Sequence, residues 1–169
     1  DVVLAGRGGS IHRGSSGSGS WTSTITGLGT PTQNYEHRLF NFDGTDKIVI
    51  TTGTSNPQIL NSSFSTSVVN ASGTANFKFV EIFKNHIFFA GDSSNKQQVS
   101  FMGPTETNSF TNGTGGGTIK VDTEIVGLRA FRDSLIIFGR DKIFKLTGSS
   151  SANFAVTPIT RNIGCTDGR

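Results

Sequence analysis

Short apolar runs recur along the chain, separated by stretches rich in Ser, Thr, Asn and Gly. Two segments, residues 83–91 and 131–139, follow the same plan. In each, an apolar strand ends in Phe, a Lys-Asn or Arg-Asp pair makes a tight turn, and a run of Ile, Leu and Phe stops at a glycine. The pattern predicts a β-hairpin in both segments, with Phe83 and Phe131 at equivalent core positions.

A third copy of this hairpin covers residues 47–53 and is entered through the Asp-Gly pair of residues 43–46. After each glycine, a polar link leads to a further short strand, at residues 58–60, 98–101 and 142–146. Each copy then runs into a Ser, Thr and Asn stretch closed by one aromatic residue. These aromatics are Trp21, Phe64, Phe110 and Phe154, which are separated by 43, 46 and 44 positions.

A unit of about 45 residues with four short antiparallel strands is typical of a β-propeller blade. The runs at 87–89 and 135–138 are apolar without alternation, which predicts inner strands buried on both faces. We therefore expect an all-β, partial propeller with about three blades in residues 37–169. Residues 1–36 form a Gly/Ser-rich start with the end of a preceding blade. A β-solenoid or tandem sandwich, whose repeats stack linearly, is the competing architecture.

Composition adds a few exclusions to this picture. The basic and acidic residues leave a net charge of +3, and the basic residues are scattered singly. The charge pattern therefore does not predict nucleic-acid binding. The lone Cys165 excludes an intrachain disulfide, and no apolar run has the length of a membrane helix. Because the sequence begins with Asp1 and closed propellers use at least four blades, we expect a piece of a larger protein.

The repeats resemble the propeller blades of tail and neck proteins of tailed bacteriophages, with the tail nozzle or tail tubular protein B as the nearest kind. The resemblance covers residues 37–169 and is carried by residues 85–91, 99–104, 107–110, 127–133, 143–148 and 163–165. It implies a virion structural protein that assembles into a ring in the tail and forms part of the DNA exit channel. The implied partners are copies of itself and other tail or neck proteins, with passing contact to DNA and no membrane.

No residue pattern predicts a catalytic, cofactor-binding or metal site. The histidines, His12, His37 and His86, fall in separate segments and are expected to be ordinary surface or turn residues. Asp43 and Asp46 have calcium-ligand chemistry but lack further carboxylates, so a hairpin turn is favoured. The glycine-rich residues 6–10 lack the lysine and the following helix of a phosphate loop, which favours a flexible connection or a wide turn after a short strand at residues 2–4.

Enzyme activity is not expected, because no pair of carboxylates with glycosidase spacing can be identified. The acidic residues considered are Glu81, Asp92, Glu106, Asp122, Glu124 and Asp133. Residues 15–21 resemble the Asp-box turn of sialidases but lack its aspartate. The basic residues considered for a DNA channel, with solvated turns as the favoured interpretation, are Lys78, Lys84, Lys96, Arg129, Arg132, Arg140 and Lys142.

The alternative function is a secreted, lectin-like propeller that binds carbohydrate. Its pockets would use an aromatic platform with polar neighbours. Trp21 is the only Trp in the chain, which disfavours a sugar pocket repeated in every blade.

Overall fold

The structure, a computed structural model, describes residues 2–15, 17, 19–29, 35–69, 75–104, 109–110 and 112–166. These residues form fifteen β-strands in four antiparallel sheets, with one short 3-10 turn at Asn112–Thr114. The predicted all-β class and the blade-like repeat are therefore confirmed. None of the described segments forms a helix of the length and apolarity that a membrane crossing requires.

The first sheet has three strands and the other three have four, each strand pairing with its neighbours in the sequence. The strands of the first sheet are β1 (Val2–Arg7), β2 (Ser10–Ser15) and β3 (Trp21–Ile25). Those of the second are β4 (Glu36–Phe40), β5 (Lys47–Thr51), β6 (Gln58–Asn61) and β7 (Thr66–Val68).

The remaining two sheets repeat the four-strand meander. The third sheet contains β8 (Phe79–Phe83), β9 (His86–Ala90), β10 (Gln98–Met102) and β11 (Gly117–Lys120). The fourth contains β12 (Ile125–Phe131), β13 (Ser134–Gly139), β14 (Ile143–Thr147) and β15 (Ala155–Thr160). The first strands of these four-stranded sheets lie side by side, with β8 between β4 and β12. Their meeting at one rim, with the sheets face to face, is the arrangement of a partial β-propeller.

Both matched hairpins form as predicted. Lys84 and Asn85 adopt φ values of 47° and 55°, the left-handed conformation at both central positions of a type I′ turn. Arg132 has φ 53° at the corresponding turn. The third hairpin differs, because residues 41–46 separate β4 from β5 and make a longer loop.

Apolar side chains fill the space between neighbouring sheets in three clusters. The largest lies between the third and fourth sheets and includes Phe83, Phe88, Phe101, Leu135 and Ile137. A second lies between the second and third sheets, and a third lies between the first and second. Strand β9 is buried at every position, as its non-alternating sequence predicts.

Burial on both faces was also predicted for residues 135–138 of strand β13, and there the prediction is wrong. Leu135 and Ile137 are fully buried, whereas Ile136 and Phe138 are only half-buried. The alternation arises because the third sheet covers one face of the fourth sheet, while no sheet among the described residues covers the other.

Phe131 corrects the prediction that it and Phe83 are equivalent core residues. Each ends the first strand of its sheet and precedes the turn, but Phe83 is 4% exposed and Phe131 is 60% exposed. The Phe83 side chain lies between two sheets. Phe131 lies on the uncovered face of the fourth sheet, where the Arg132 guanidinium sits 5.3 Å from its ring centre.

Candidate functional site

A row of three charged side chains links the first strands of the second, third and fourth sheets. Arg38 donates from Nε to Glu81 Oε1 at 3.0 Å and from Nη2 to Glu81 Oε2 at 3.1 Å. Arg129 Nη1 lies 3.5 Å from Glu81 Oε2 on the other side. We call this row, Arg38–Glu81–Arg129, the inner ladder. It joins three blades at their shared rim.

The repeat itself places these residues together. Each stands two positions before the phenylalanine that ends its strand, namely Phe40, Phe83 or Phe131. Because β8 lies between β4 and β12, the single carboxylate falls between two guanidinium groups. The sequence analysis did not single out Arg38, although its position two residues before Phe40 matches the positions of Glu81 and Arg129 in their repeats.

Glu81 is the buried member of the inner ladder. It is 6% exposed, and Oε1 also accepts a hydrogen bond from the backbone N–H of Ile82 at 3.1 Å. Burial of a charged group is tolerated only with such paired and hydrogen-bonded partners. The inner ladder therefore fixes the relative position of neighbouring blades. The role of Glu81 in it is structural.

Most of the basic residues considered for a DNA channel are paired with carboxylates. Five of the seven lie in ion pairs, and Arg132 contacts the Phe131 ring. The pairs are Lys84–Asp133, Lys96–Glu124, Arg129–Glu81, Arg140–Glu124 and Lys142–Asp122. Pairing of this kind lowers the positive potential that would hold a phosphate backbone.

A polar cleft of about 300 Å³ between the third and fourth sheets contains two of these pairs, which share Glu124. Arg140 donates from Nε and Nη2 to the two carboxylate oxygens of Glu124, at 3.1 and 3.2 Å. Lys78 and Lys96 also line the cleft. The Arg140 hydrogen bonds hold the pKa of Glu124 below its ordinary value, and the nearby positive charges act in the same direction.

Replacement of Arg140 by Gln is expected to raise the pKa of Glu124 towards its ordinary value. A carboxylate with a lowered folded-state pKa contributes stability above its unfolded pKa and loses it as the pH falls through the folded pKa. The variant should therefore lose this small contribution at neutral pH, while its stability in strong acid stays that of the parent chain. An NMR titration of the Glu124 side-chain carbon measures the shift. Lys142→Gln, which removes the partner of Asp122 instead, is the matched control, and an unchanged Glu124 titration in Arg140→Gln contradicts the assignment.

The histidines are spread over three sheets, and the described residues contain no cluster of three or more potential metal ligands. His12 is half-buried on β2 and His37 is exposed on β4. His86 corrects the prediction of a surface or turn residue, since it is 4% exposed and packs against the rings of Phe101 and Phe154. Its Nδ1 lies 2.6 Å from the Lys84 carbonyl oxygen, to which the Nδ1–H donates a hydrogen bond.

The two loop candidates are turns. Asp43 accepts hydrogen bonds from the Thr45 backbone N–H and the Lys47 ammonium, which closes the β4–β5 loop. In the segment 6–10, Gly8 and Gly9 make a tight two-residue turn at φ 57° and 80°, and strand β2 follows. This turn is tighter than the flexible or wide connection predicted for it. Part of the Asp-box-like segment 15–21 lies outside the described residues.

The acidic residues considered above as possible glycosidase carboxylates have structural partners wherever the structure describes them. Glu81, Asp122, Glu124 and Asp133 are ion-paired as above. Asp92 is buried and accepts hydrogen bonds from the Ser94 backbone N–H at 3.1 Å and the Asn95 side chain at 3.3 Å, which stabilises the β9–β10 loop. Glu106 lies outside the described residues.

Trp21 begins β3 at the outer face of the first sheet. Its ring lies across Gly14, its cross-strand partner, and the side chain is 53% exposed. A shallow cleft of about 640 Å³ beside it is lined by Ala5, Arg7, Gly8, Ser10 and His12. The cleft combines an aromatic surface with a few polar groups.

Comparison with known proteins supports the fold. No family model and no curated protein matches the chain. Among solved structures, the chain is similar to BBS1N, a β-propeller, in the crystal structure of BBS1N in complex with ARL6DN, soaked with mercury. The TM-score is 0.53 at 10% identity, over 92% of this chain and 49% of that chain. The chain thus spans about half the length of BBS1N, and a likeness at this identity shows the fold alone.

Proposed function

We propose that this chain is a structural component that acts by assembly, as part of a propeller in the tail of a bacteriophage. In this role it contributes blades to a ring-forming tail nozzle, tail tubular or neck protein around the DNA exit channel. Its partners are copies of itself and other tail proteins, and it carries out no catalytic turnover. The phage context rests on the sequence resemblance of residues 37–169.

The observation that carries the assembly role is the uncovered apolar face of the fourth sheet. Phe131 is 60% exposed there, with Ile136 and Phe138 half-buried beside it on the same sheet. Large exposed apolar side chains grouped on one face mark an interaction surface. The equivalent face of the third sheet, which carries Phe83, is covered by the fourth, so the same kind of blade-to-blade packing fits the open face.

The charge pattern of the inner ladder is consistent with the proposal that DNA passes through a channel formed by the assembled protein. Its two arginines share one buried carboxylate, so the rim alternates in charge. A channel that must release DNA is expected to avoid a dense basic lining, because each neutralised phosphate strengthens binding. The paired state of Lys84, Lys96 and Lys142 agrees with this expectation.

The proposal predicts that the protein is found in purified phage particles at a fixed number of copies per tail. Quantitative mass spectrometry of particles, calibrated against a major tail protein, measures that number. A constant ratio between preparations supports the proposal. Absence from particles, or a variable amount far below one copy per tail, would contradict the proposal.

Carbohydrate binding is the second candidate, and the half-exposed Trp21 beside Arg7, Ser10 and His12 is the observation that favours it. Aromatic side chains with one apolar face and nearby polar groups suit a sugar ring. A glycan array with the 169-residue chain and its Trp21→Ala variant tests this role. Trp21-dependent binding to a defined glycan supports it, and an array without signal removes it.

A further inference from the structure

Two polar clefts adjoin between the third and fourth sheets, at the end where β9 and β13 finish and β12 begins. The smaller is the cleft of about 300 Å³ described above, and its charged and hydroxyl side chains include Lys78, Ser93, Lys96, Glu124 and Arg140. The larger, of about 450 Å³, shares Ser93, Lys96 and Glu124 with it. The fold thus gathers three cations that stand far apart in the sequence.

Glu124 is the one carboxylate among the described residues that line the smaller cleft, and the fold already holds it. Arg140 donates to both of its oxygens, and Lys96 Nζ lies 3.9 Å from Oε1. The Arg140 hydrogen bonds, together with the charges of Lys96 and Lys78, hold the pKa of Glu124 below its ordinary value. Glu124 is therefore ionised at neutral pH, and the lining of the cleft carries an excess of two positive charges.

Lys78 is half-buried, and its side chain lies across two glycines. A Cβ at Gly91 would lie 3.0 Å from Lys78 Cβ, and a Cβ at Gly53 would lie 2.8 Å from Lys78 Cγ. Any larger residue at either position would therefore displace the lysine. No carboxylate of the described residues forms an ion pair with its ammonium group. A half-buried ammonium group in this state is stabilised by an anion that enters the cleft.

The carboxylates that stand next to the cleft in the sequence do not offset this excess of positive charge. Asp92 is buried and accepts the hydrogen bonds of its own β9–β10 loop. Asp122 is paired with Lys142, and Asp141 accepts a hydrogen bond from the Thr123 hydroxyl. Each of these carboxylates has its own partner, so the two positive charges are left for a ligand.

We propose that this cleft binds a phosphate group that carries two negative charges, either as the free ion or as a monoester. Lys78 and Lys96 donate to its oxygens, and the Ser93 hydroxyl is a further donor at the edge that both clefts share. The larger cleft has room for the organic part of a monoester.

The charge of a phosphate dianion equals the excess of the lining. A phosphodiester, as in a nucleic-acid backbone, carries one negative charge per phosphate and matches it less well. The inference stands on the cleft alone and does not depend on the phage context.

Inorganic phosphate, methyl phosphate and dimethyl phosphate are the probes, at about pH 7.5 and constant ionic strength. At this pH the first two carry mainly two negative charges, and the diester carries one. NMR of the ¹⁵N-labelled 169-residue chain follows the amides of Gly91, Ser93 and Ile125 during each titration. We expect saturable shifts with inorganic phosphate at about millimolar concentration, and binding of dimethyl phosphate about fivefold weaker or more.

The methyl phosphate titration distinguishes the two sources of the phosphate group. Binding as tight as that of inorganic phosphate assigns the cleft to a monoester. Weaker binding than that of inorganic phosphate assigns it to the free ion.

Protein variants locate the site. Lys78→Gln removes one positive charge from the cleft and should weaken phosphate binding by about fivefold or more. Lys145→Gln is the matched control, because this exposed lysine lies on β14 outside both clefts, and phosphate binding should be unchanged.

Glu124→Gln is expected to act in the opposite direction. It removes the carboxylate that competes with the ligand, so phosphate should bind about threefold more tightly or better. A purely structural role of Glu124 does not predict tighter binding. If this variant does not fold, the Lys78 and Lys145 pair still decides the question.

Four results would overturn the proposal. The first is no saturable shift of the cleft amides at tens of millimolar phosphate. The second is an equal effect of Lys78→Gln and Lys145→Gln, which would show attraction to the whole basic surface. The third is weaker phosphate binding by a folded Glu124→Gln variant, and the fourth is dimethyl phosphate binding as tightly as inorganic phosphate. Because each readout concerns the isolated chain, its outcome is separate from the presence of the protein in particles.

Discussion

Replacing Phe83 with alanine is expected to lower the free energy of unfolding by about 3 to 5 kcal/mol. The ring is buried between the third and fourth sheets and contacts Phe88 and Phe154, with ring centres 6.2 and 6.5 Å apart. Truncation removes these contacts and leaves a cavity that a β-sheet core cannot readily close. Urea denaturation of the 169-residue chain, followed by circular dichroism, measures the loss.

Phe131→Ala is the matched control, because the residue type, strand position and following turn are the same. Its side chain is 60% exposed, so the expected loss is under about 1 kcal/mol. Equal losses for the two variants would contradict the open face of the fourth sheet. A large loss for Phe131→Ala alone would mean that another surface covers it in solution.

Glu81→Ala is expected to destabilise the chain by about 2 to 3 kcal/mol. The substitution leaves the guanidinium of Arg38, whose side chain is 23% exposed, without its two carboxylate hydrogen bonds. It also removes the partner of Arg129 at the rim. The cost falls below that of a fully buried pair, because both arginines retain some contact with water.

The exposed ion pair between Lys84 and Asp133 provides the comparison. It joins two hairpin turns at 3.0 Å, but the Asp133 side chain is 93% exposed. Asp133→Ala should therefore cost less than about 1 kcal/mol. The same urea measurement applies to both variants, and an Asp133→Ala loss as large as that of Glu81→Ala would contradict the structural role assigned to the inner ladder.

Local sequence signals predicted the blades well. The Lys-Asn pair at residues 84–85 specifies a tight hairpin, because Asn and Lys at these positions reach the left-handed conformation that a type I′ turn needs. The spacing of Trp21, Phe64, Phe110 and Phe154 predicted the repeat. Turn chemistry and repeat spacing are encoded in neighbouring residues, so one sequence is enough to reveal them.

Burial at the ends of the array was not predictable in the same way. Phe83 and Phe131 have the same local pattern, and only the presence or absence of a neighbouring sheet separates a core residue from an exposed one. Arg38 acquires its partner 43 positions away in the sequence, through packing of β4 against β8. These properties depend on which sheets meet, which local patterns do not specify.

Electron microscopy of the protein in its assembled form tests the central claim most directly, since that claim is that the blade array functions by packing against further β structure. The account predicts that another sheet covers Phe131 and buries the open face of the fourth sheet. A reconstruction of the assembled protein in which Phe131 faces solvent would contradict it.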